Sequence, residues 1–165
     1  MDYELTAEML RSLTEGVPFP LANLANAAAL LYEQIPELNW AGFYLARNTA
    51  AGGRELVLGP FMGRPACIRI PWGKGVCGTG AAEDEPQIVP DVHLFPGHIA
   101  CDAASASEAV IPLHLADGTV AGVLDLDSPR RGRFSEEDRA GLIRLAAVIE
   151  GLLPEDLSGL TAEKE

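Results

Sequence analysis

Apolar residues recur at helical spacing near both ends of this sequence. Residues 6–15 and the Ala- and Leu-rich residues 21–35, which have a proline on each side, are predicted to form two helices. Ser135 precedes three acidic residues and then an apolar series that ends at Ile149, which predicts a capped amphipathic helix. The polar segment at about 155–165 is expected to be a frayed tail.

The middle of the sequence has the alternation and the turn residues of short β-strands. Strands are predicted at residues 38–45, 55–59, 66–70 and 87–89. Residues 73–80 are rich in glycine. Residues 90–106 combine proline, glycine, histidine and cysteine without a period, which is typical of a long functional loop. A length of 165 residues favours one domain spanning 1–165, with an α+β arrangement of sheet and helices.

The strongest local signal is a β-hairpin within residues 107–128. Its two apolar strands are separated by Asp117-Gly118, the dipeptide most typical of a two-residue type I′ turn. Such a turn places Glu108 opposite Asp127, with Asp125 on the same face. The other face is apolar and is predicted to be core; it consists of Ala109, Ile111, Leu113, Leu115, Val120, Leu124 and Leu126.

Three carboxylates on one face of a hairpin need an explanation, because like charges opposite each other destabilise a sheet. A water-exposed face is one interpretation, since most charged strand residues face solvent. A functional acid cluster of Glu108, Asp125 and Asp127 is the other. Mutual repulsion raises the pKa of neighbouring carboxyls, which would leave a protonated acid at neutral pH. The hairpin alone leaves both interpretations open.

The first predicted strand carries two aromatic residues on one face. Trp40 and Tyr44 share that face because side chains alternate along a strand, and Gly42 lies between them. We expect the glycine to leave a hollow, so that the two rings form a wall for a small ligand. Aromatic residues on strands belong more often to the core. Core packing is therefore the better supported interpretation from this pattern alone.

The three cysteines are Cys67, Cys77 and Cys101. They lack the short C-x₂₋₄-C pairs of zinc sites, and adding His93 or His98 does not restore one, so no metal site is predicted. Free cysteines are most often buried and inert. Cys77 and Cys101, however, lie in glycine-rich or irregular segments, which carry reactive groups more often than packing groups. An inert set and a reactive set are both compatible with the sequence.

Charge and hydropathy exclude several classes of partner. The sequence has 24 acidic and 12 basic residues, a net charge of −12, so a nucleic-acid partner is not expected. The longest uncharged stretch, residues 16–32, contains prolines and asparagines and is too short to span a bilayer. The acidic N-terminus lacks the features of a secretory signal. We therefore predict a cytoplasmic protein whose thiols are normally reduced.

Six motifs between residues 20 and 150 occur together, in a stretch that also contains all three cysteines and the paired aspartates. They are Trp40-Ala41-Gly42-Phe43-Tyr44, Gly59-Pro60-Phe61, Ile70-Pro71-Trp72-Gly73-Lys74-Gly75-Val76-Cys77-Gly78, Val89-Pro90-Asp91-Val92, His98-Ile99-Ala100-Cys101-Asp102 and Gly122-Val123-Leu124-Asp125-Leu126-Asp127-Ser128-Pro129. This combination resembles the free methionine-(R)-sulfoxide reductases, which are small cytosolic enzymes built on a GAF domain. The resemblance implies a homodimer and a roughly six-stranded antiparallel sheet flanked by helices.

The resemblance also implies a thiol mechanism without a bound cofactor. Cys101 would attack the sulfur of free methionine (R)-sulfoxide, release methionine and become a sulfenic acid. Cys67 is the first choice, and Cys77 the second, for resolving that acid as a disulfide. Thioredoxin would then return the enzyme to its dithiol state.

The chemistry of the reaction explains why these residue types are wanted. A sulfoxide oxygen leaves poorly until it is protonated, so a nearby acid is needed, and Glu108, Asp125 and Asp127 are the candidates. The same carboxylates could hold the α-ammonium group of the free substrate, which a protein-bound methionine lacks. Trp40 and Tyr44 would orient the methyl sulfoxide end.

A GAF module that senses a small molecule or redox state without turnover is the alternative function. Sensor GAF domains are usually joined to output domains, and this sequence has no room for one, which favours the enzyme. A zinc-binding or purely structural domain is a third hypothesis, which elemental analysis would test.

Overall fold

The computed structural model describes residues 1–164 and contains one six-stranded antiparallel sheet. The strands are β1 (Trp40–Asn48), β2 (Arg54–Gly63), β3 (Arg69–Pro71), β4 (Gln87–Val89), β5 (Ser107–His114) and β6 (Val120–Ser128). Their order across the sheet is β3-β2-β1-β6-β5-β4, so β1 and β6 lie at its centre. The α+β class and the six-stranded sheet expected from the sequence are confirmed.

Helices flank the sheet on both faces. They are α1 (Tyr3–Thr14), α2 (Pro20–Gln34), α3 (Gly75–Glu83), α4 (Glu136–Glu150) and α5 (Ser158–Thr161). α1, α2 and α4 cover one face and form the larger core with it, while α3 and the loop after β4 cover the other face in a smaller core. Both faces of the β5–β6 hairpin are therefore buried. Within residues 1–164, no helix is both long and apolar enough to cross a bilayer.

The three helices predicted from periodicity correspond to α1, α2 and α4. α2 begins at Pro20, a residue whose fixed φ suits the first helical turn. α4 begins after Ser135, whose hydroxyl accepts the Asp138 N–H at 3.1 Å, while the Asp138 carboxylate accepts the Ser135 N–H at 2.8 Å. This reciprocal capping box satisfies two backbone donors and explains why the helix starts there.

The hairpin turn differs from the predicted two-residue type I′ turn. The Leu115 N–H donates to the Thr119 carbonyl at 2.9 Å, so residues 116–118 form a three-residue loop. Gly118 donates to the Leu115 carbonyl at 2.9 Å and has a φ of +85°, the left-handed conformation that glycine tolerates best. The Asp-Gly pair therefore makes a type I turn with a left-handed third residue.

A bulge in β6 compensates for the longer loop. The pairing shifts by one residue at Ala121, and beyond that point Glu108 faces Asp127, as predicted. The bulge also exchanges two side chains between faces: Ala121 packs in the larger core, whereas Val120, predicted for that face, packs with the smaller one. The expected register around the carboxylates is confirmed although the turn type was wrong.

A helix that the glycine-rich pattern did not predict, α3, begins at Gly75. Glycine is a poor helix former, which hides the helix from a propensity argument. At Gly78 an added Cβ would lie 2.5 Å from the Pro71 carbonyl oxygen, so only glycine lets α3 pack this closely against the end of β3. Close packing, rather than flexibility, explains a glycine inside this helix.

Two other segments differ from expectation. The strand predicted at residues 66–70 begins only at Arg69, so Cys67 lies in the preceding loop and not in a strand. The segment after Pro154, expected to fray, contains α5 and buries Leu157 and Thr161. Leu157 packs in the larger core, and the Thr161 hydroxyl donates to the Leu157 carbonyl at 3.1 Å, so the segment is held in place despite its polar composition.

Candidate active site

A narrow cavity lies between the carboxylate-bearing face of the sheet, the start of α3 and the loop of residues 90–106. It leaves about 30 Å³ open to the centres of water molecules, which is room for about two waters. Every residue predicted for the site lines it except Cys67. The lining consists of Trp40, Tyr44, Ala66, Ile70, Gly75, Val76, Cys77, His98, Ile99, Cys101, Asp102, Ser105, Glu108, Asp125 and Asp127.

The hairpin places three acidic side chains in the wall of this cavity. Glu108 is 6% exposed and Asp125 is 4% exposed, so the interpretation of a water-exposed face is wrong for both. Burial raises the pKa of Asp125 to about 7. Burial, and then repulsion by the neighbouring carboxylates, raises the pKa of Glu108 and Asp127 as well. Burial and mutual repulsion therefore both favour the protonated form of these carboxyl groups.

One oxygen of this cluster has no partner. Oδ1 of Asp125 is buried and accepts no hydrogen bond from any residue in the described part of the chain. Buried polar atoms are normally satisfied, and an unsatisfied one costs about 1–3 kcal/mol. A polar ligand bound in the cavity would satisfy this oxygen.

Cys77 is buried beside the acids. Its Sγ donates a hydrogen bond to Oε1 of Glu108 at 3.7 Å, and burial, followed by the charges of Asp125 and Glu108, raises the pKa of the thiol. One ligand atom from each of these three side chains lies within 4.8 Å of the others, close enough to hold a metal ion. Metal ligands must be deprotonated. The raised pKa values therefore favour protons over a metal ion here.

Cys67 and Cys101 form a disulfide beside the cavity. Their Cα atoms are 5.4 Å apart, and the bond ties the loop before β3 to the loop of residues 90–106. The Tyr44 hydroxyl donates to the Cys67 carbonyl at 2.9 Å and lies 3.9 Å from Sγ of Cys101. The disulfide joins Cys101 to Cys67, the cysteine that was the first choice for resolving the sulfenic acid. Cys77 is a free, buried thiol.

Trp40 and Tyr44 line the cavity and also pack in the smaller core. Their ring centroids are 5.8 Å apart, and the ring of Phe61 stacks on Trp40 with a centroid distance of 5.2 Å. In the part of the chain that the structure describes, Phe61 fills the space beside Gly42, so the predicted hollow does not exist there. A Cβ added at Gly42 would collide with Cβ of Phe61 and lie 2.8 Å from its Cα. The aromatic wall is therefore a packed stack.

Two further residues contact the site and had no predicted role. Nε2 of His98 lies 3.7 Å from Oε2 of Glu108, and the imidazole is 16% exposed. Nδ2 of Asn39 donates to Oδ2 of Asp102 and to Oγ of Ser105, both at 3.1 Å, and so ties the Cys101 loop to the start of β1. The position of His98, three residues before Cys101, was the signal that could have found it.

Comparison with known proteins identifies the fold class. Residues 22–153 match the GAF domain family. The match covers the sheet, α3, α4 and the loop of residues 90–106, which together enclose the cavity. The protein is a GAF domain protein with a cysteine- and carboxylate-lined site.

Similar proteins show to which family of GAF domain proteins the chain belongs. A protein of Escherichia coli named free methionine-R-sulfoxide reductase is 54% identical over 142 residues, which are 86% of this chain and 82% of the relative. The structure of a free methionine-R-sulfoxide reductase from Neisseria meningitidis in complex with its substrate has 42% identity and a TM-score of 0.83, covering 91% of this chain and 87% of that one. The chain belongs to the free methionine-R-sulfoxide reductase family.

A structure described as a candidate GAF sensor protein from Burkholderia vietnamiensis is also similar. It has 56% identity and a TM-score of 0.84, and the match covers 89% of this chain and 90% of that one. A sensory function is therefore the second candidate to be tested.

Proposed function

We propose that this protein reduces free methionine (R)-sulfoxide to methionine, with Cys101 and Cys67 as its redox pair. The observation that carries this proposal is the Cys67–Cys101 disulfide beside a cavity lined by buried acids. A reductase that oxidises its own cysteines must bring two thiols together next to the substrate site. The family membership of the chain supports the same reaction.

The first step is attack of the Cys101 sulfur on the sulfoxide sulfur. The S–O bond of the substrate breaks and its sulfur is reduced by two electrons. The oxygen is transferred to the Cys101 sulfur, which is oxidised by two electrons to a sulfenic acid. One of the protonated carboxyls supplies the proton that this oxygen needs, which is worth about 10²–10⁴ in rate. Glu108, Asp125 and Asp127 are the general-acid candidates because all three line the cavity with a raised pKa.

In the second step Cys67 attacks the sulfenic sulfur of Cys101, so that water leaves and the disulfide forms. Cys67 is favoured over Cys77 because the two cysteine backbones are already within disulfide distance, whereas the Cys77 thiol donates to Glu108. Thioredoxin is the proposed reductant that restores both thiols. No bound cofactor takes part in this cycle.

Substrate recognition follows from the charge of the cavity. Of Glu108, Asp125 and Asp127, the side chains that do not act as the acid would hold, in their ionised form, the α-ammonium group of the free amino acid, which a methionine inside a peptide chain lacks. Trp40 and Tyr44 supply the apolar wall that orients the methyl sulfoxide end. The buried acids thus discriminate against protein-bound methionine sulfoxide.

The expected homodimer has a candidate surface on α1. Leu5, Met9 and Leu13 recur every four residues and are 37–52% exposed, and Phe19 beyond them is 65% exposed. A second copy of the chain packed on this stripe would bury apolar area that is now in contact with water. A cytoplasmic location suits a thioredoxin-dependent cycle, since thiols are kept reduced there.

The test is an assay that follows NADPH oxidation in the presence of thioredoxin and thioredoxin reductase. Free methionine (R)-sulfoxide should cause NADPH oxidation, and the (S) form should cause none. A sensor would bind the sulfoxide without releasing methionine, so binding and turnover are measured on the same preparation. Binding without turnover would replace the enzyme with the sensor function.

A further inference from the structure

His98 is the only basic side chain that lines the cavity within residues 1–164. Its Nε2 lies 3.7 Å from Oε2 of Glu108, and it is more exposed than that carboxyl, 16% against 8% of each side chain. The imidazole is therefore the more solvent-accessible group of this pair and lies next to the acid cluster. It lies on the same loop as Cys101 and lines the same cavity.

We propose that His98 relays a proton from solvent to Glu108 after Glu108 has protonated the sulfoxide oxygen. This inference rests on the proposed function and assigns Glu108 as the general acid. In the first step Glu108 loses its proton to the oxygen that becomes part of the sulfenic acid, and the Cys101 thiol proton is released to solvent. The overall proton count is unchanged, but Glu108 is left as a buried carboxylate and must regain a proton before the next substrate is reduced.

The charges in the cavity favour proton transfer in one direction, from His98 to the ionised Glu108. Burial, and then the nearby His93, lowers the pKa of His98, so the resting imidazole is neutral and can accept a proton. A new carboxylate at Glu108 favours imidazolium at this distance, so proton uptake follows proton donation. The titratable groups that share the cavity wall with His98 are Tyr44 on β1, Cys77 on α3, Asp102 and the reduced Cys101 on its own loop, Glu108 on β5, and Asp125 and Asp127 on β6.

The relay predicts a difference between the first turnover and later turnovers. Glu108 starts out protonated, so reduced His98→Gln and His98→Ala proteins should release the first methionine at the wild-type rate. Their steady-state kcat with saturating dithiothreitol should fall about tenfold or more, with KM unchanged. Added imidazole should restore part of the kcat of His98→Ala, whose missing side chain leaves room for it.

His114→Gln is the matched control, because it makes the same replacement at a histidine that pairs with Asp84 and Glu150 outside the cavity. It should keep the wild-type kcat. Unchanged kcat in both His98 variants would overturn the relay, as would a slow first turnover with a raised KM and no effect of imidazole. Wild-type protein that releases no methionine at all would instead refute the proposed function. Because His98→Gln and His98→Ala differ in size, one of them can still be measured if the other fails to fold.

Discussion

Glu108 lies directly opposite Asp127 across the β5–β6 ribbon, and the Glu108 side chain also accepts a hydrogen bond from the buried thiol of Cys77. Two acids facing each other on a buried strand pair are costly when both are ionised. The raised pKa values of these acids reduce this cost, because they favour the protonated, uncharged form. Reduction of a sulfoxide needs a proton on its oxygen, and a protonated carboxyl of this cluster can supply it.

Replacement of Asp125 by Asn should change how stability depends on pH. Burial raises the pKa of Asp125 to about 7 from an ordinary value of 3.8. The folded state therefore binds more protons than the unfolded state between these values, and stability present at low pH is lost as pH rises through about 7. At pH 8, Asp125→Asn should be more stable than wild type by up to roughly 4 kcal/mol. Urea unfolding at pH 4 and pH 8 measures this, and an equal pH dependence in both proteins would contradict it.

Loss of the acid at Glu108 should lower activity at every pH. Without a proton donor near the sulfoxide oxygen, Glu108→Gln should lose about 10²-fold or more in kcat and should bind the substrate more weakly. Steady-state kinetics with free methionine (R)-sulfoxide gives both parameters. Glu8→Gln, an exposed acid on α1, is the control and should behave as wild type. Kinetics unchanged by Glu108→Gln would remove this residue from the site.

The two disulfide cysteines should fail at different steps. Cys101→Ser should release no methionine even in a single turnover, because no nucleophile remains. Cys67→Ser should release about one methionine per subunit and then stop, because its sulfenic acid cannot be resolved by that thiol. Chromatographic quantification of methionine distinguishes the two results. An active Cys101→Ser protein would refute the assignment of the nucleophile.

Gly42 is required for packing in the aromatic stack. In Gly42→Ala the new methyl group would collide with Phe61, whose Cα it would approach to 2.8 Å, and backbone atoms cannot move away cheaply. We expect a loss of about 2–3 kcal/mol in the free energy of unfolding, measured by chemical denaturation. Gly159→Ala in α5 has nothing within 4 Å of the added carbon and should be close to neutral. Equal stability of the two variants would show that the stack can relax.

His114 should stabilise the protein more at low pH. It contacts Asp84 at the end of α3 through Nε2 at 2.6 Å, and Glu150 at the end of α4 through Nδ1 at 2.7 Å. Burial lowers its pKa, but the hydrogen bonds to Asp84 and Glu150 outweigh burial, so the net shift is upward.

The stabilisation by His114 is full below the ordinary pKa of histidine, about 6.5, and is lost as pH rises through the raised folded value. His114→Gln should therefore cost about 1 kcal/mol at pH 6 and much less at pH 9, after allowance for solvent screening. Thermal unfolding at the two pH values provides the measurement, and a cost that does not change with pH would argue against the ion pairs.

Several parts of the site were predictable from the sequence because they depend on short-range pattern. The period of two along β5 and β6 placed Glu108, Asp125 and Asp127 on one face, and this held although the turn type was wrong. The apolar face must meet the larger core, and a slip of one residue would turn it outward, so the register is determined by burial and not by the turn. The bulge at Ala121 absorbs the difference.

Other features of the site depend on contacts between segments that are distant in the sequence, and a local pattern cannot predict such contacts. α3 is built on glycines that weaken the helix signal, and its role is to pack closely over the acids. Because α3 and the loop of residues 90–106 cover that face, the acids are buried and not solvated. The partner of His98 is similarly visible only once the loop is placed against β5.

The sequence by itself determined the α+β class, the faces of the hairpin and the chemistry available at Cys67, Cys101 and the three acids. Only the tertiary structure decided that the acids are buried, that Cys67 and not Cys77 is joined to Cys101, and that Phe61 fills the space beside Gly42. The reason is physical: side-chain alternation is set by neighbours along the chain, whereas desolvation and thiol pairing are set by segments that meet only when the chain folds.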